Sequence, residues 1–488
     1  MNLKSTAISG VKWTSIEKIG KSIFQLLQIA ILTRFLPKEA FGLVAIALVV
    51  IGFTNIFVDL GLSSAILYKQ DATEKEYSSI YWLNIFISLF MFAFLLIITP
   101  FISAFYEEKD LVNIIPILGI NLLLMAIGRQ HRTIMQKDFR FRPITFIELI
   151  AYFLGLIVAI FLAYEGAGVY SLVYSTLLYS AVSNVLFLVT NIRNNPISLR
   201  FKINEIKPFL RVGGYKTGSR ILDFISQEAD IFIIGKILGA ELLGVYTLSK
   251  QVVLKLYSLI NPIIVNVLSP LLSSIQKDKE RLKKSYLQVI HFLAYINLPL
   301  FLVVLAGSKE ILYFLYGNSY VEAYLVLSFL SLYYCITSLS NPVGSLQIAT
   351  GRTDIGFFWT ILRVLITPAF IFIGALHSIN GVAFAILLLG VLLLIPLWYI
   401  QLLPLAKISL KEYFQQFYRP LIIFLILGIL AMYLQTIFDI YLPIISIFAK
   451  ILFFLLLFVG ILYLIDKSSF KNNLQFIFST IKKRSTDT

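Results

Sequence analysis

Cysteine occurs once in this 488-residue chain, at Cys335, which excludes an internal disulfide and any cysteine-based metal cluster. Histidine occurs three times, and His131, His291 and His377 are too scattered to form a metal-ligand spacing. Charged residues make up only 14% of the sequence, against about 25% in soluble domains. There is no GxxxxGK[ST] phosphate loop, so direct ATP hydrolysis is not expected. The longest aqueous connection, roughly 192–208, is too short for a separate catalytic domain. The N-terminus lacks a short apolar core followed by a small-residue cleavage site, so no removable signal peptide is expected. An enzyme is not expected either.

Apolar sequence is what the chain has in excess. It is 59% hydrophobic, with a mean hydropathy of +0.87. Windows of about 20 apolar residues, enough to cross a bilayer, fall near 9–35, 40–67, 79–105, 111–130, 144–164, 168–191, 209–238, 241–272, 285–306, 321–350, 354–376, 380–403, 418–438 and 443–465. Fourteen spans are expected. The fold class is all-α integral membrane, in two pseudo-symmetric six-helix lobes, 1–205 and 206–410. A third segment, 411–488, holds spans 13 and 14 and a basic tail.

The net charge of +15 is unevenly placed. Alternate connections are basic: Arg129, Arg132, Lys137, Arg140 and Arg142; Arg193, Arg200, Lys202, Lys207 and Arg211; Lys277, Lys279, Arg281, Lys283 and Lys284. The tail adds Lys467, Lys471, Lys482, Lys483 and Arg484. The opposite connections carry Lys38, Lys109 and Lys309 beside Glu39, Glu107, Glu108, Asp110, Glu165 and Glu310. Cytoplasmic loops are the ones enriched in Lys and Arg, which places the basic loops and both termini inside. The charge then belongs to topology and lipid headgroups, and nucleic acid is not an expected partner.

A polar stripe occurs twice, 202 residues apart. The first copy is Thr14, Lys18, Lys21, Gln25 and Gln28; the second is Lys216, Arg220, Asp223, Gln227 and Asp230. Steps of four and three put each set on one helix face. Ionisable groups inside a membrane segment are costly and usually face a wet cavity, so the paired stripes suggest matching lobes around one aqueous passage. The repeat extends further: Arg34, Glu39 and Gly42 align with Lys236, Glu241 and Gly244. Six spans per copy make both copies enter from the same side, as in parallel-repeat transporters with an axis along the membrane normal.

An ordered series of short motifs then becomes recognisable. Ile8-Ser-Gly-Val-Lys-Trp13, Phe41-Gly-Leu43, Asp59-Leu-Gly61, Tyr81-Trp-Leu-Asn84, Met135-Gln-Lys137 and Asn341-Pro-Val-Gly-Ser-Leu346, with Arg352 and Asp354, closely resemble polysaccharide exporters of the Wzx type. The resemblance is to the colanic-acid and teichuronic-acid branch of the multidrug/oligosaccharidyl-lipid/polysaccharide flippase superfamily. It implies two six-helix lobes in a V, working by alternating access. It also implies flipping of polyprenyl-pyrophosphate-linked oligosaccharide from the inner to the outer leaflet of the bacterial cytoplasmic membrane. The partners implied are that lipid-linked oligosaccharide, membrane lipids and the polysaccharide polymerase machinery. The rival within the same superfamily is a cation-coupled multidrug exporter.

A rise of about 1.5 Å per residue puts Lys18 roughly 13 Å and Lys21 roughly 18 Å into span one. Each charge at that depth costs about 2.5–3.5 kcal/mol and must be hydrated, paired or used. Lys18, Lys21 and Arg220 are therefore candidates for a cationic cavity that receives a pyrophosphate, since Lys and Arg give charge-assisted hydrogen bonds to phosphate oxygens. Local pairing is the alternative: Glu17 with Lys21, and Arg220 with Asp223. Lys250, Lys255 and Arg363 are further candidates, divided between lining the passage and structural pairing. Arg34 and Lys236 lie near outer span ends, where snorkelling suffices. Asp223, Glu228, Asp230, Asp59 and Glu148 are candidates for a coupling H+ or Na+, and no other cofactor is expected. Lys21 and Asp223 occupy equivalent repeat positions with opposite charge.

Overall fold

The computed structural model describes residues 3–437 and 443–465; the basic tail residues Lys467 to Arg484 lie outside it, as does the side chain of Lys216. Every regular element among the described residues is helical. In order they are α1 (Leu3–Leu32), α2 (Lys38–Asp59), the short α3 (Leu62–Tyr68), α4 (Glu74–Tyr106), α5 (Leu111–Lys137), α6 (Phe141–Tyr164), α7 (Tyr170–Asn191) and α8 (Ile203–Ser274). Next come α9 (Lys279–Ala306), α10 (Ser308–Tyr316), a 3₁₀ turn (Asn318–Ala323), α11 (Tyr324–Ser340), α12 (Val343–Thr350) and α13 (Thr353–Ala375). The chain continues through α14 (Ile379–Leu392), α15 (Leu394–Leu397), a π-helical turn (Trp398–Leu402), α16 (Leu403–Ala406), α17 (Leu410–Gln415), α18 (Tyr418–Ile437) and α19 (Pro443–Ile465).

Each of the fourteen apolar windows coincides with one of these helices or a short run of them. Ten stretches among the described residues are long and apolar enough to cross a membrane, and Tyr418–Leu434 and Leu452–Ile465 are shorter apolar helices. The chain is a multi-pass membrane protein. Its outer surface has the matching chemistry: α4 turns Phe90, Phe94, Ile97, Phe101 and Phe105 outward, in helical steps of three and four. In water such a stripe would be an aggregation face; against lipid it is the solvated side.

Local sequence sets the element ends. Thr73 caps α4 and Ser409 caps α17, each in a box with the glutamate three residues on, Glu76 and Glu412. Gly239, at φ 82° and ψ 173°, breaks α8 into arms 203–238 and 240–274, the two windows read as separate spans.

Contacts divide the chain into two units. The first is Met1–Leu248 with Arg363–Ile379; the second is Ser249–Leu362 with Asn380–Thr488. In the first, α5 packs on α2, α3, α4 and α7, while α6 packs on α1 and α7. Small residues allow the close approaches: Gly128 lies against the backbone of Asn184, and Gly155 against the carbonyl of Ser175. In the second, α9 is central and packs on α11, α18 and α19, with α10 also against α19. A buried Glu310 on α10 receives Lys450 of α19.

Candidate functional site

The α1 stripe runs along α6 and α7. Glu148 and Tyr152 on α6, four apart, meet Lys21 and Gln25 of the stripe, and Thr145, three residues earlier, reaches Trp13 just before it. Thr145 donates to the carbonyl of Trp13 at 3.0 Å. Lys21 lies 2.9 Å from Glu148, and Gln25 donates to the Tyr152 hydroxyl at 3.0 Å. One turn on, Gln28 donates to Ser175 of α7 at 3.0 Å. Pairing with a second polar helix face is how Lys21, Gln25 and Gln28 avoid the cost of bare polar groups in hydrocarbon.

Glu148 is the hub. It is 3% exposed and accepts from Arg132 at 3.0 Å and from the Tyr179 hydroxyl at 2.7 Å. Glu17 lies 3.3 Å from Lys21 and 3.3 Å from Arg132. Two carboxylates and two cations thus form a balanced tetrad, with the Lys21 ammonium over the Tyr152 ring. The local alternative for Lys21 is present, enlarged by a second carboxylate from α6. Lys18, one turn earlier, is exposed.

A second charge cluster joins α2, α5 and the first arm of α8. Asp59, at the end of α2, is 8% exposed and receives the guanidinium of Arg220. Ser63 Oγ donates to the same carboxylate at 2.5 Å. Arg129 of α5 approaches with Nη1 3.8 Å from Asp59 Oδ1, while its Nη2 donates to Asn55. Arg220 therefore pairs across helices with Asp59, and the local Arg220–Asp223 alternative is not the arrangement found. Two arginines share one carboxylate here.

The other sequence candidates are placed as follows. Asp223 is exposed on the first arm of α8, with Arg363 of α13 as its neighbouring charge. Asp230 is buried, accepting from the Tyr246 hydroxyl at 2.7 Å and from the Ile231 amide at 2.9 Å. Glu228 is half-buried. Lys250 is buried and Lys255 half-buried, both in the second unit. Lys236 meets Glu107 at 2.9 Å, a pairing beyond the snorkelling read from its position. The neighbouring Glu108, in the turn after α4, has its carboxyl pushed up by partial burial and then by Glu39.

Arg129 and Arg132 were legible only as topology charges, because the apolar window ends at 130 while α5 continues to Lys137. Their i,i+3 spacing on an unbroken helix is the signal that could have drawn them in. Glu148 is legible in the sequence as an intramembrane carboxylate, but its partners, which come from α1, α5 and α7, carry no such signal.

These features define a class: an all-α, multi-pass membrane protein with charge clusters inside the helical packing, of the transporter type. The chain belongs to the family described as "Polysaccharide biosynthesis protein", whose pattern matches residues 31–325. Over 87% of this chain and 88% of the relative, it is 29% identical to the teichuronic acid biosynthesis protein TuaB of Bacillus subtilis (strain 168). It is 26% identical to the lipopolysaccharide biosynthesis protein WzxC of Escherichia coli (strain K12), over 86% of each chain. Among solved structures it shares the fold of the lipid II flippase MurJ in an inward closed conformation, with a TM-score of 0.74 at 16% identity, covering 93% of this chain and 99% of that one.

Proposed function

We propose that this chain is a flippase for polyprenyl-pyrophosphate-linked oligosaccharide, moving it from the inner to the outer leaflet of a bacterial cytoplasmic membrane for surface polysaccharide export. The observation that carries this reading is the excess of positive charge around Asp59 in the first unit: Asp59 serves two arginines, whereas the tetrad is already balanced. An anionic headgroup complements that excess. Relatives named for teichuronic acid and lipopolysaccharide biosynthesis, and a fold shared with a lipid II flippase, support the same cargo class.

In this reading the chain works by alternating access of two repeats, 1–205 and 206–410, with 411–488 as an added pair of helices and a tail. Lys18, Lys21, Arg220, Lys250, Lys255 and Arg363 are the cations that meet the headgroup during the cycle. Both termini face the cytoplasm, and the polymerase machinery takes over the cargo outside. An anion moving outward runs down an inside-negative potential, worth about 2.3 kcal/mol per charge per 100 mV. Asp223, Glu228, Asp230 and Asp59 are the carboxylates that would carry a coupling H+ or Na+. A multidrug exporter of cationic compounds fits less well, because the same positive excess repels such cargo.

Mass spectrometry of lipid extracts after depletion of the protein, beside a drug-susceptibility panel, tests this. Accumulation of a polyprenyl-pyrophosphate oligosaccharide with unchanged drug tolerance is expected. No accumulation, with new sensitivity to cationic drugs, moves the chain to the multidrug branch.

A further inference from the structure

We infer that Arg129 and Arg220 form an anion-binding subsite for a pyrophosphate group, in which Asp59 stands in for the ligand when the site is unloaded. The inference rests on the flippase reading for its cargo and on the geometry of one cluster for its place.

A guanidinium presents five donors in a planar fork matched to carboxylate and phosphate oxygens alike. Arg220 spends part of its fork on Asp59, and its side chain is 39% exposed, so its remaining donors are reachable. Arg129 is more enclosed, with a side chain 14% exposed. Its Nη2 is engaged by Asn55, yet Nη1 is buried without a hydrogen-bond partner. At 3.8 Å, Asp59 Oδ1 is close enough to balance the charge of Nη1 but too far to accept its proton. A buried donor left unmade is expensive in a native interior. It is explained if the site is shaped for an acceptor larger and richer in oxygens than one carboxylate.

Charge balance favours the same conclusion. Glu17 and Glu148 offset Lys21 and Arg132. Asp59 alone faces Arg129 and Arg220, which leaves one uncompensated positive charge in a half-buried place. A pyrophosphate diester brings two negative charges and several acceptor oxygens. It could take Arg220 from Asp59 and supply Arg129 Nη1 with its missing acceptor. Asp59 and Arg129 lie next to the connections rich in Lys and Arg, on the side where positive-inside topology puts the cytoplasm and the loading of cargo.

A carboxylate that only holds the fold and one that competes with the ligand respond oppositely to neutralisation. The test is binding to purified full-length protein in nanodiscs, followed by thermal shift and calorimetry. The probes are inorganic pyrophosphate in one arm and an undecaprenyl pyrophosphate in the other. Arg220→Gln and Arg129→Gln are expected to weaken binding at least about tenfold, the scale of one lost charge-assisted hydrogen bond. Asp59→Asn is expected to tighten it severalfold, because the competing carboxylate is gone. If Arg129→Gln does not fold, Arg220→Lys takes its place; keeping the charge without the fork, it should still weaken binding measurably. Loss of binding in Asp59→Asn, binding insensitive to both arginines, or no pyrophosphate binding by the wild type overturns the inference. Tighter binding of the lipid probe than of the inorganic one assigns the anion to a lipid headgroup; equal response assigns it to free pyrophosphate, and both support the subsite. Failure of the flippase reading is distinguishable. Depletion would then leave the lipid profile unchanged while Asp59→Asn still tightened inorganic pyrophosphate. Conversely, if depletion accumulates the lipid intermediate and Arg220→Gln clears it fully, the subsite fails and the flippase stands.

Discussion

Gly42 lies against the carbonyl of Ala240, and Gly244 against the carbonyl of Lys38. The 202-residue offset that relates Gly42 to Gly244 also relates Lys38 to Ala240. Each contact is therefore the image of the other, which is what a local two-fold axis produces. The starts of α2 and of the second arm of α8 cross at this point, and the repeat seen in the sequence has a physical meeting place.

Adding a methyl group at this crossing should be costly. A Cβ at Gly42 would fall 1.9 Å from the Ala240 oxygen, and one at Gly244 would fall 2.0 Å from the Lys38 oxygen. Alanine gains about 1 kcal/mol of helix propensity over glycine, but forced overpacking costs about 1–3 kcal/mol, and here the obstacle is backbone. Gly42→Ala and Gly244→Ala should each lower the Tm of the purified protein. Gly218→Ala, whose added Cβ would meet nothing within 4 Å, should leave Tm level or raise it. A Gly42→Ala protein as stable as the wild type would refute the tight crossing.

Glu148 should be the least replaceable carboxylate of the tetrad. Removing it leaves Lys21 and Arg132 to Glu17 alone and takes the charged acceptor from the Tyr179 hydroxyl. Breaking a buried pair by removing one partner costs about 3–5 kcal/mol. Glu148→Ala should therefore be much less stable, and adding Lys21→Met should recover part of the loss. A double variant as unstable as the sum of the singles would show that the two residues do not interact.

The helix α19 should depend on one buried ion pair. Glu310 is 0% exposed and Lys450 is its partner. Lys450→Met leaves that carboxylate buried and unpaired, a loss of about 3–5 kcal/mol. Glu310→Gln with Lys450→Met should be more stable than Lys450→Met alone, because no bare charge is left. Limited proteolysis between α18 and α19, scored on intact mass, reads the difference.

Stability should carry an acid-sensitive term from the α17 cap. Lys283, 2.7 Å away, and then the Ser409 backbone hold the Glu412 carboxyl down to about 2. A carboxylate with a depressed folded pKa adds stability above its unfolded value, about 4.3, and loses it as pH falls toward 2. Glu412→Gln should thus lower Tm at pH 7, with the gap to wild type closing between about pH 5 and pH 2. The group is solvent-exposed, so the expected gap is small. A gap that does not change with pH would show that the charge on Glu412 is not the source of the effect.

Helix placement was legible because hydropathy and bilayer thickness act along the chain, one window at a time. Span edges were less so. α5 runs on to Lys137 because Arg129 and Arg132 find carboxylates on other helices, and no window can see that. The Glu17–Lys21 pair could be read from spacing, since i,i+4 neighbours are fixed by the helix itself.

By itself, then, the order of residues determined the all-helical membrane fold, the repeat and the identity of the polar faces. Periodicity and glycine spacing are local properties of a helical chain. Which charge answers which was decided only in three dimensions. Arg220 passes over Asp223, three residues away, for Asp59 on another helix. Inside a membrane protein a charge settles where packing brings its counter-charge and supporting donors together, and packing joins residues that the chain keeps far apart.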